Sequence, residues 1–558
     1  MSRRRSVLAV VAAGILALAL TACAGLPVSG PVKIGREVAE AGEDPTVSFN
    51  PRGPSAGMTP QQIVEGFIEA GTGSRNNWSV AKLFLTDDAT WNPNTGVTVY
   101  TPGQRTVTDG GEGQVSMSIT PEASVDGTGA YAPADGRPVS LVYRLVQVGG
   151  EWRISEAPDG IVIDRNKFGS VFRSYSLMFF DPTWTYLVPD ERWFTIEYAP
   201  VRIVQALTGA GASPWLAESI ESAFTESAGL ATDSVPVRSQ VAEVPLRAGA
   251  REVDQVTLDR MQTQLEQSLQ TVGVREVEML VDGQPLNATA VAVHSTRVEP
   301  RTLILADGVF GFLAGSAIES IPGLSDAVQN AVPDAVEVAA DRRAAALRTV
   351  AGEVQRVRDD GTWETLDARA GLVAPTLDPD GFVYSVPVDA PAAVWATAPD
   401  GRGVSELADA WLGATNVDGM RVSRDGTRVA AVIRDGGIPA VAVAGIIRDE
   451  NGIPVRLSEP RTLAALPGVG IDLAWIDGST LAVLAQAEDQ QMVLEVPIGG
   501  PATSTRAPDG AVAIAAGNES GAVRVLDAEG DLFGQRGATW SPMTSGVAVV
   551  AVQQGSPG

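Results

Sequence analysis

After residue 310 the sequence keeps returning to one dipeptide, and that recurrence limits the fold more than any other feature of its 558 residues. Asp-Gly occurs at 360, 380, 400, 418, 425, 435, 477 and 509, between short runs of β-forming residues. Both residues tolerate positive φ, which tight hairpin turns demand. Segments 377–384, 423–432 and 475–484 look alike, and a degenerate fourth lies at 339–346. Anchored on Asp341, Asp380, Asp425 and Asp477, the spacings are 39, 45 and 52 residues. That is the period of a four-stranded propeller blade loosened by loops. Roughly 245 residues at this period hold five or six blades. A β-sandwich with coincidental turns is the competing reading.

Upstream the pattern is mixed. Thr59-Pro60 is a helix start, with Ile63, Val64, Phe67 and Ile68 at helical spacing, and 78–85 continues with a second apolar face. Strands are expected at 97–100 and 115–119, then a hairpin from 139 to 155 turning at Gly149-Gly150. Segment 172–196 is aromatic and strand-like and reads as a bridge. A helix is expected from Pro200 to Leu207, ending at Gly209. A strand at 241–246, an amphipathic helix at 256–269 and a strand at 274–281 closed by Asp282-Gly283 complete a second α+β unit. The fold class is therefore multidomain, with two small α+β domains followed by an all-β propeller. The limits read as 1–22 signal peptide, 23–57 tether, 58–197 first domain with its strand-rich junction, 198–305 second domain, and 306–558 propeller.

The N-terminus sets the compartment. Arg3, Arg4 and Arg5 precede an apolar run from Val7 to Leu20. At about 1.5 Å per residue that run is too short for the ~30 Å hydrocarbon core, so it fits a secretory signal. It ends in Leu20-Thr21-Ala22-Cys23, a bacterial lipobox, and Cys23 is the only cysteine. Cleavage is expected between Ala22 and Cys23, with S-diacylglycerol and N-palmitoyl groups on the cysteine. Such chains anchor a protein firmly, each buried methylene contributing about 0.8 kcal/mol. An exported chain without disulfides must rest on its core. The expected location is the extracytoplasmic face of the cell membrane. Residues 24–57, rich in Gly, Pro and Ser, act as a flexible tether of about 30 Å.

Charge narrows the partners. The chain carries −26, and residues 1–22 hold three arginines and no acid, so the body after cleavage is at −29. This argues against nucleic acid and against adsorption to anionic lipid. Lysine occurs only at 33, 82 and 167, and arginine-rich, Ala/Val/Gly-rich usage points to a high-GC actinobacterial source.

Catalytic chemistry finds little support. His294, in a strand-like run at 291–295, is the only histidine, so histidine-based nucleophilic sites would have to use it and the usual zinc sets lack ligands. Gly53–Gly57 fits G-x-S-x-G but lies in the tether, and Ser79–Lys82 fits S-x-x-K without the accompanying K-T-G. Asp378-Pro379-Asp380-Gly381 resembles the start of a calcium loop, but a turn is the better reading. Carboxylates are plentiful enough for a glycosidase pair in a propeller channel. Eleven tryptophans could stack on sugars or partners, though most are expected in cores. No catalytic residue, cofactor or metal is assigned, and the chain is read as a non-enzyme.

The whole chain resembles the actinobacterial LpqB lipoprotein family. The resemblance rests on the lipobox with 25–32 behind it, on Trp152–Ser155 with Ala157–Gly160, and on Leu187–Trp193. Residues 198–305 are similar to the GerMN domain of spore germination proteins, and the repeats to TolB-type propellers. The resemblance implies an accessory role: contact with the extracytoplasmic domain of a sensor kinase, MtrB, modulating its two-component signalling and thereby the cell envelope and division. Only Cys23 carries over as a functional position. The alternatives are an envelope-glycan-binding lipoprotein and, third, an extracytoplasmic glycan hydrolase. A transporter substrate-binding lipoprotein fits less well, being usually two α/β lobes.

Overall fold

A computed structural model describes residues 51–555 and 557, which belong to one compact unit. Its first helix, α1 (Pro60–Ala70), starts as expected: the Thr59 hydroxyl accepts from the Gln62 backbone N–H, and the Gln62 side chain accepts from that of Thr59. Such a box satisfies two orphan donors at once. Helix α2 (Arg75–Lys82) follows, its first turn broken by left-handed Asn76, Asn77 and Trp78. The helices cover a sheet ordered β5-β4-β2-β1-β6, formed by β1 (Gly96–Gly111), β2 (Gln114–Asp126), β4 (Val139–Val148), β5 (Glu151–Glu156) and β6 (Ile161–Asp164), with β3 (Tyr131–Pro133) beside β2. Ile63, Val64 and Phe67 bury against Val115, Met117 and Tyr143. Each such side chain contributes about 1.5–3 kcal/mol. The β4–β5 turn is Gly149-Gly150, both at positive φ.

The aromatic segment forms a regular hairpin, β7 (Phe172–Phe180) with β8 (Leu187–Thr195), preceded by α3 (Arg165–Val171). Buried Asp181 holds its turn by accepting from the backbone N–H groups of Thr183, Thr185 and Tyr186. In the second α+β unit, α4 (Ala199–Gln205) runs into a π-helical turn and closes at Gly211, φ 69°, rather than at the expected Gly209. The Gly211 N–H bonds to the Ala206 carbonyl, so one wide turn carries the chain past Gly209. Its sheet is ordered β12-β11-β10-β9, with β9 (Val237–Arg238), β10 (Val241–Pro245), β11 (Glu276–Val281) and β12 (Gln284–Pro285). β10 and β11 are parallel and joined through α5 (Gln255–Leu269). The hairpin is fastened to that helix: Met178 N–H donates to Ser268 Oγ, and Gln264 Nε2 donates to the Met178 carbonyl.

The remaining strands form six antiparallel sets, each with up-and-down order. The last strand, Val547–Gln553, completes the first set by pairing antiparallel with Leu303–Ala306, and pairs in parallel with Pro333–Val338 of the second. Closure thus joins the two ends of the domain. Asp341, Asp380, Asp425 and Asp477 all sit in the turn after the innermost strand of successive sets, which explains their spacing. Three expectations need correction. Asp418-Gly419 is not a turn but lies within the strand Ala414–Val422, at a bulge between Val417 and Gly419. A helix, α6 (Leu324–Ala331), lies where only strands are expected, burying Leu324, Ser325 and Val328. Residues 291–295 form no strand; His294 is exposed in an irregular connection, its N–H bonded to the Thr185 carbonyl.

Candidate functional site

The innermost strands surround a channel, and where those strands begin it widens into a cavity of about 240 Å³. Its charged lining comes in pairs. Asp334 meets Arg348 at 2.9 Å and Asp472 meets Arg421 at 3.2 Å, while Asp418 lies 3.5 Å from Arg434. Asp472 also accepts from the Ile514 and Leu473 N–H groups, which fixes its carboxylate against the wall. Arg421 donates to the Ala374 and Met420 carbonyls, yet its buried Nε makes no hydrogen bond, nor does Asp418 Oδ2. Deeper in, fully buried Glu337 accepts from Thr376 Oγ1 at 3.2 Å and the Leu377 N–H at 3.4 Å. Burial pushes its carboxyl up to about 7, opposed by the charge of Arg421. The channel is stoppered beyond this level. Arg424 donates to the carbonyls of Trp475, Ile476 and Gly517, and the Gln554 amide donates to the Ser423 carbonyl. Burial lowers the Arg424 pKa to about 10.

The stoppered end lies under the hairpin. Arg428, with no exposed surface, pairs with Asp425 and donates to the carbonyls of Gly478 and Pro189, the last on β8. Trp193 Nε1 donates to the Gly499 carbonyl at 2.7 Å, and Arg461 reaches the Tyr131 carbonyl of the first domain. Glu218 of the second domain pairs with Arg456. Arg192 joins the non-propeller parts. It pairs with Asp190, donates to Thr128 of the first domain and to the Gly211 carbonyl of the second, and Asp190 accepts from Ser213. A buried pair with its remaining hydrogen-bonding sites filled fixes geometry; removing one member strands the other charge. The segment read as a bridge is a wedge on which all three domains seat.

Other expected residues are dispersed. Cys23 and Ala22 lie outside the described residues. Ser55 is exposed just before a turn at 56–57, where the Gly57 N–H bonds Glu151. Ser79 and Lys82 are both exposed on α2. His294 rests edge-on to Tyr186, centroids 5.6 Å apart. Asp378 accepts from Tyr384 Oη and the Phe382 N–H and pairs with Arg448 at 2.6 Å, so the turn reading holds. Among the described residues no group of three or more His, Cys, Asp or Glu is placed to hold a metal, and no helix is long and apolar enough to cross a membrane. Sequence reasoning passed over Arg421, Arg424, Arg428 and Asp472. The signal for two of them stood beside the repeat: Arg424 and Arg428 flank Asp425-Gly426.

Fold and site together define a class: a multidomain protein whose two small α+β domains cap one end of a propeller with an arginine-rich channel. Three family models match in the same order. They are the lipoprotein LpqB N-terminal domain over residues 53–169, a sporulation and spore germination domain over 176–287, and the lipoprotein LpqB β-propeller domain over 308–551. A lipoprotein LpqB of Bifidobacterium longum (strain NCC 2705) is 26% identical across 98% of this chain and 99% of its own. One from Thermobifida fusca (strain YX) is also 26% identical, across 90% and 91%. The chain belongs to the LpqB lipoprotein family. Among solved structures, TolB from Acinetobacter baumannii superimposes with a TM-score of 0.32 at 15% identity, covering 44% of this chain and 66% of that one.

Proposed function

We propose that this protein is cleaved after Ala22, acylated on Cys23 with diacylglycerol and palmitate, and held on the extracytoplasmic face of the cell membrane. There it binds the extracytoplasmic domain of an MtrB-type sensor kinase and modulates signalling that governs the envelope and division. The working limits are a tether over 23–57, domains at 58–197 and 198–305, and a propeller from 306. One observation carries recognition over catalysis: the channel carboxylates Asp334, Asp418 and Asp472 each face an arginine, and the remaining one, Glu337, is buried out of a substrate's reach. General acid–base work needs a carboxyl free to exchange its proton with substrate. That weighs against the hydrolase reading, and no cofactor enters the account. Tethering raises the effective concentration toward a membrane partner, so modest affinity suffices.

The test is autophosphorylation of the full-length kinase in bilayers, with acylated protein or with Cys23→Ala. A change in rate that depends on acylation supports the proposal; no binding and no change sinks it.

A groove of about 650 Å³ between α6 and a neighbouring strand favours a second reading. Trp363 lies there with its ring largely exposed, beside Asp326, Asn330 and Gln355. An open indole flanked by polar side chains suits a sugar ring. Retention on insoluble peptidoglycan, lost in Trp363→Ala, would favour envelope-glycan binding; retention no greater than that of an acidic control protein would remove it.

A further inference from the structure

The two ends of the propeller differ in what they leave open. The turns at Arg428 and Gly478 after innermost strands, and the third-to-fourth turn at Gly499, meet the hairpin, while Trp363, Val404 and Ile453 stay exposed on other turns of that end. The opposite end, where innermost strands begin, makes none of the contacts that seat those domains. At that end lie Val332, Val350, Leu412, Ile438, Val469 and Val512, each between 45% and 69% exposed, with Val512 lining the channel cavity. Topology places them: Val350 and Ile438 flank turns between second and third strands, and the other four begin innermost strands or the connections into them. Val332 and Val350 are adjacent, joined by a 3.2 Å backbone hydrogen bond. Scattered exposed aliphatics are ordinary on any surface, but six on one uncovered end, two of them in contact, mark an interaction face.

Charge says what the face accepts. Asp389, Asp409, Asp435 and Glu488 stand exposed on loops of the same end, and among the described residues none of them forms an ion pair. Inside the channel mouth, Asp418 Oδ2 makes no hydrogen bond and its charge is met by Arg434, 3.5 Å away. Arg421, 5% exposed, lines the same cavity with its Nε unpartnered. An acidic rim repels anionic lipid and nucleic acid, and attracts a basic protein surface within about a Debye length. Apolar residues around a polar centre then exclude water from the pairs that form.

We infer that this free end of the propeller is the docking face for a protein partner with a basic rim and an apolar centre. The inference rests on the kinase-binding reading for the partner's identity, but not for its chemistry. Membrane lipid and wall glycan are the competing occupants.

The experiment places a photo-cross-linking amino acid at Val350 or Ile438, and as controls at Val146 on the first domain and Val237 on the second, in the full acylated chain in intact cells. Adducts are identified by mass spectrometry. The expected result is a protein adduct from the free end whose cross-linked peptide contains Lys or Arg. Its yield should fall at least tenfold in Asp435→Arg with Glu488→Arg, surface changes whose folding is verified by an unchanged melting temperature. A kinase captured only through the control positions overturns the inference and leaves the kinase reading standing. A basic peptide from some other protein, captured at the free end with the same charge dependence, supports the docking face and overturns the kinase reading. Lipid or glycan adducts at the free end, or none, overturn the inference.

Discussion

At one end of the propeller, turns after the innermost strands press against the hairpin 172–195, and Arg424 and Arg428 lose nearly all contact with solvent. At the other end equally short turns carry Val350 and Ile438 into water, the latter beside the exposed Asp435. The strands and turn chemistry are alike, so the difference lies in the side chains placed on the turns. Buried arginines that spend their donors on carbonyls fix one domain relative to another. Exposed aliphatics and free acids do nothing for the isolated fold and find a use when another surface covers them.

Substitutions can break or sharpen that contrast. The largest expected effect is at the covered end. Arg428→Ala strands the buried carboxylate of Asp425 and should cost about 3–5 kcal/mol, read as a lowered denaturant midpoint. Glu337, in the channel between the two ends, should give the next largest. Its folded pKa of about 7 lies above its ordinary 4.5, so the folded state holds the extra proton between those values. Stability should therefore fall as pH rises from about 4.5 to 7 and level off outside that window. Glu337→Gln keeps a neutral group throughout. Its advantage over the parent should grow across the window to about 3 kcal/mol near pH 8. Parallel pH profiles for the two proteins would contradict the assignment.

Gly445→Ala tests the seam more gently. A methyl there meets the Ser219 hydroxyl and the Trp215 carbonyl of the second domain. Overpacking of about 1–3 kcal/mol is expected, with faster hydrogen exchange in 213–221. Smallest of all, Ile438→Ser and Leu412→Ser at the free end should change stability by no more than about 0.5 kcal/mol. Their effect should appear only in partner capture.

Much of the scaffold was legible beforehand because it depends on local chemistry. Thr59-Pro60 specifies a helix start on its own, and Gly149-Gly150 and Asp282-Gly283 specify turns through positive φ. Asp341, Asp380, Asp425 and Asp477 were read through their spacing, which the equivalent turns of successive sets preserve. Where the same dipeptide failed, at Asp418, pairing of the innermost strand with the second strand before and after it overrode turn preference and left a bulge. Helix α6 was missed because eight residues with Leu324 and Val328 as the main apolar contacts make too short a pattern. The arginine seam is non-local, since Arg428 meets Pro189 across 239 residues and no periodicity records that meeting. The channel pairs escaped notice for the same reason: Arg421 and Asp472 are 51 residues apart.

The central claim is that an acyl-anchored body meets its kinase through the uncovered end of the propeller. Hydrogen–deuterium exchange of the acylated protein in bilayers, with and without the full-length sensor kinase, tests it most directly. The account predicts kinase-dependent protection at the turns around Val350 and Ile438 and the connection at Leu412, with the hairpin 172–195 unchanged. Protection confined to the first two domains, or none anywhere, would contradict it.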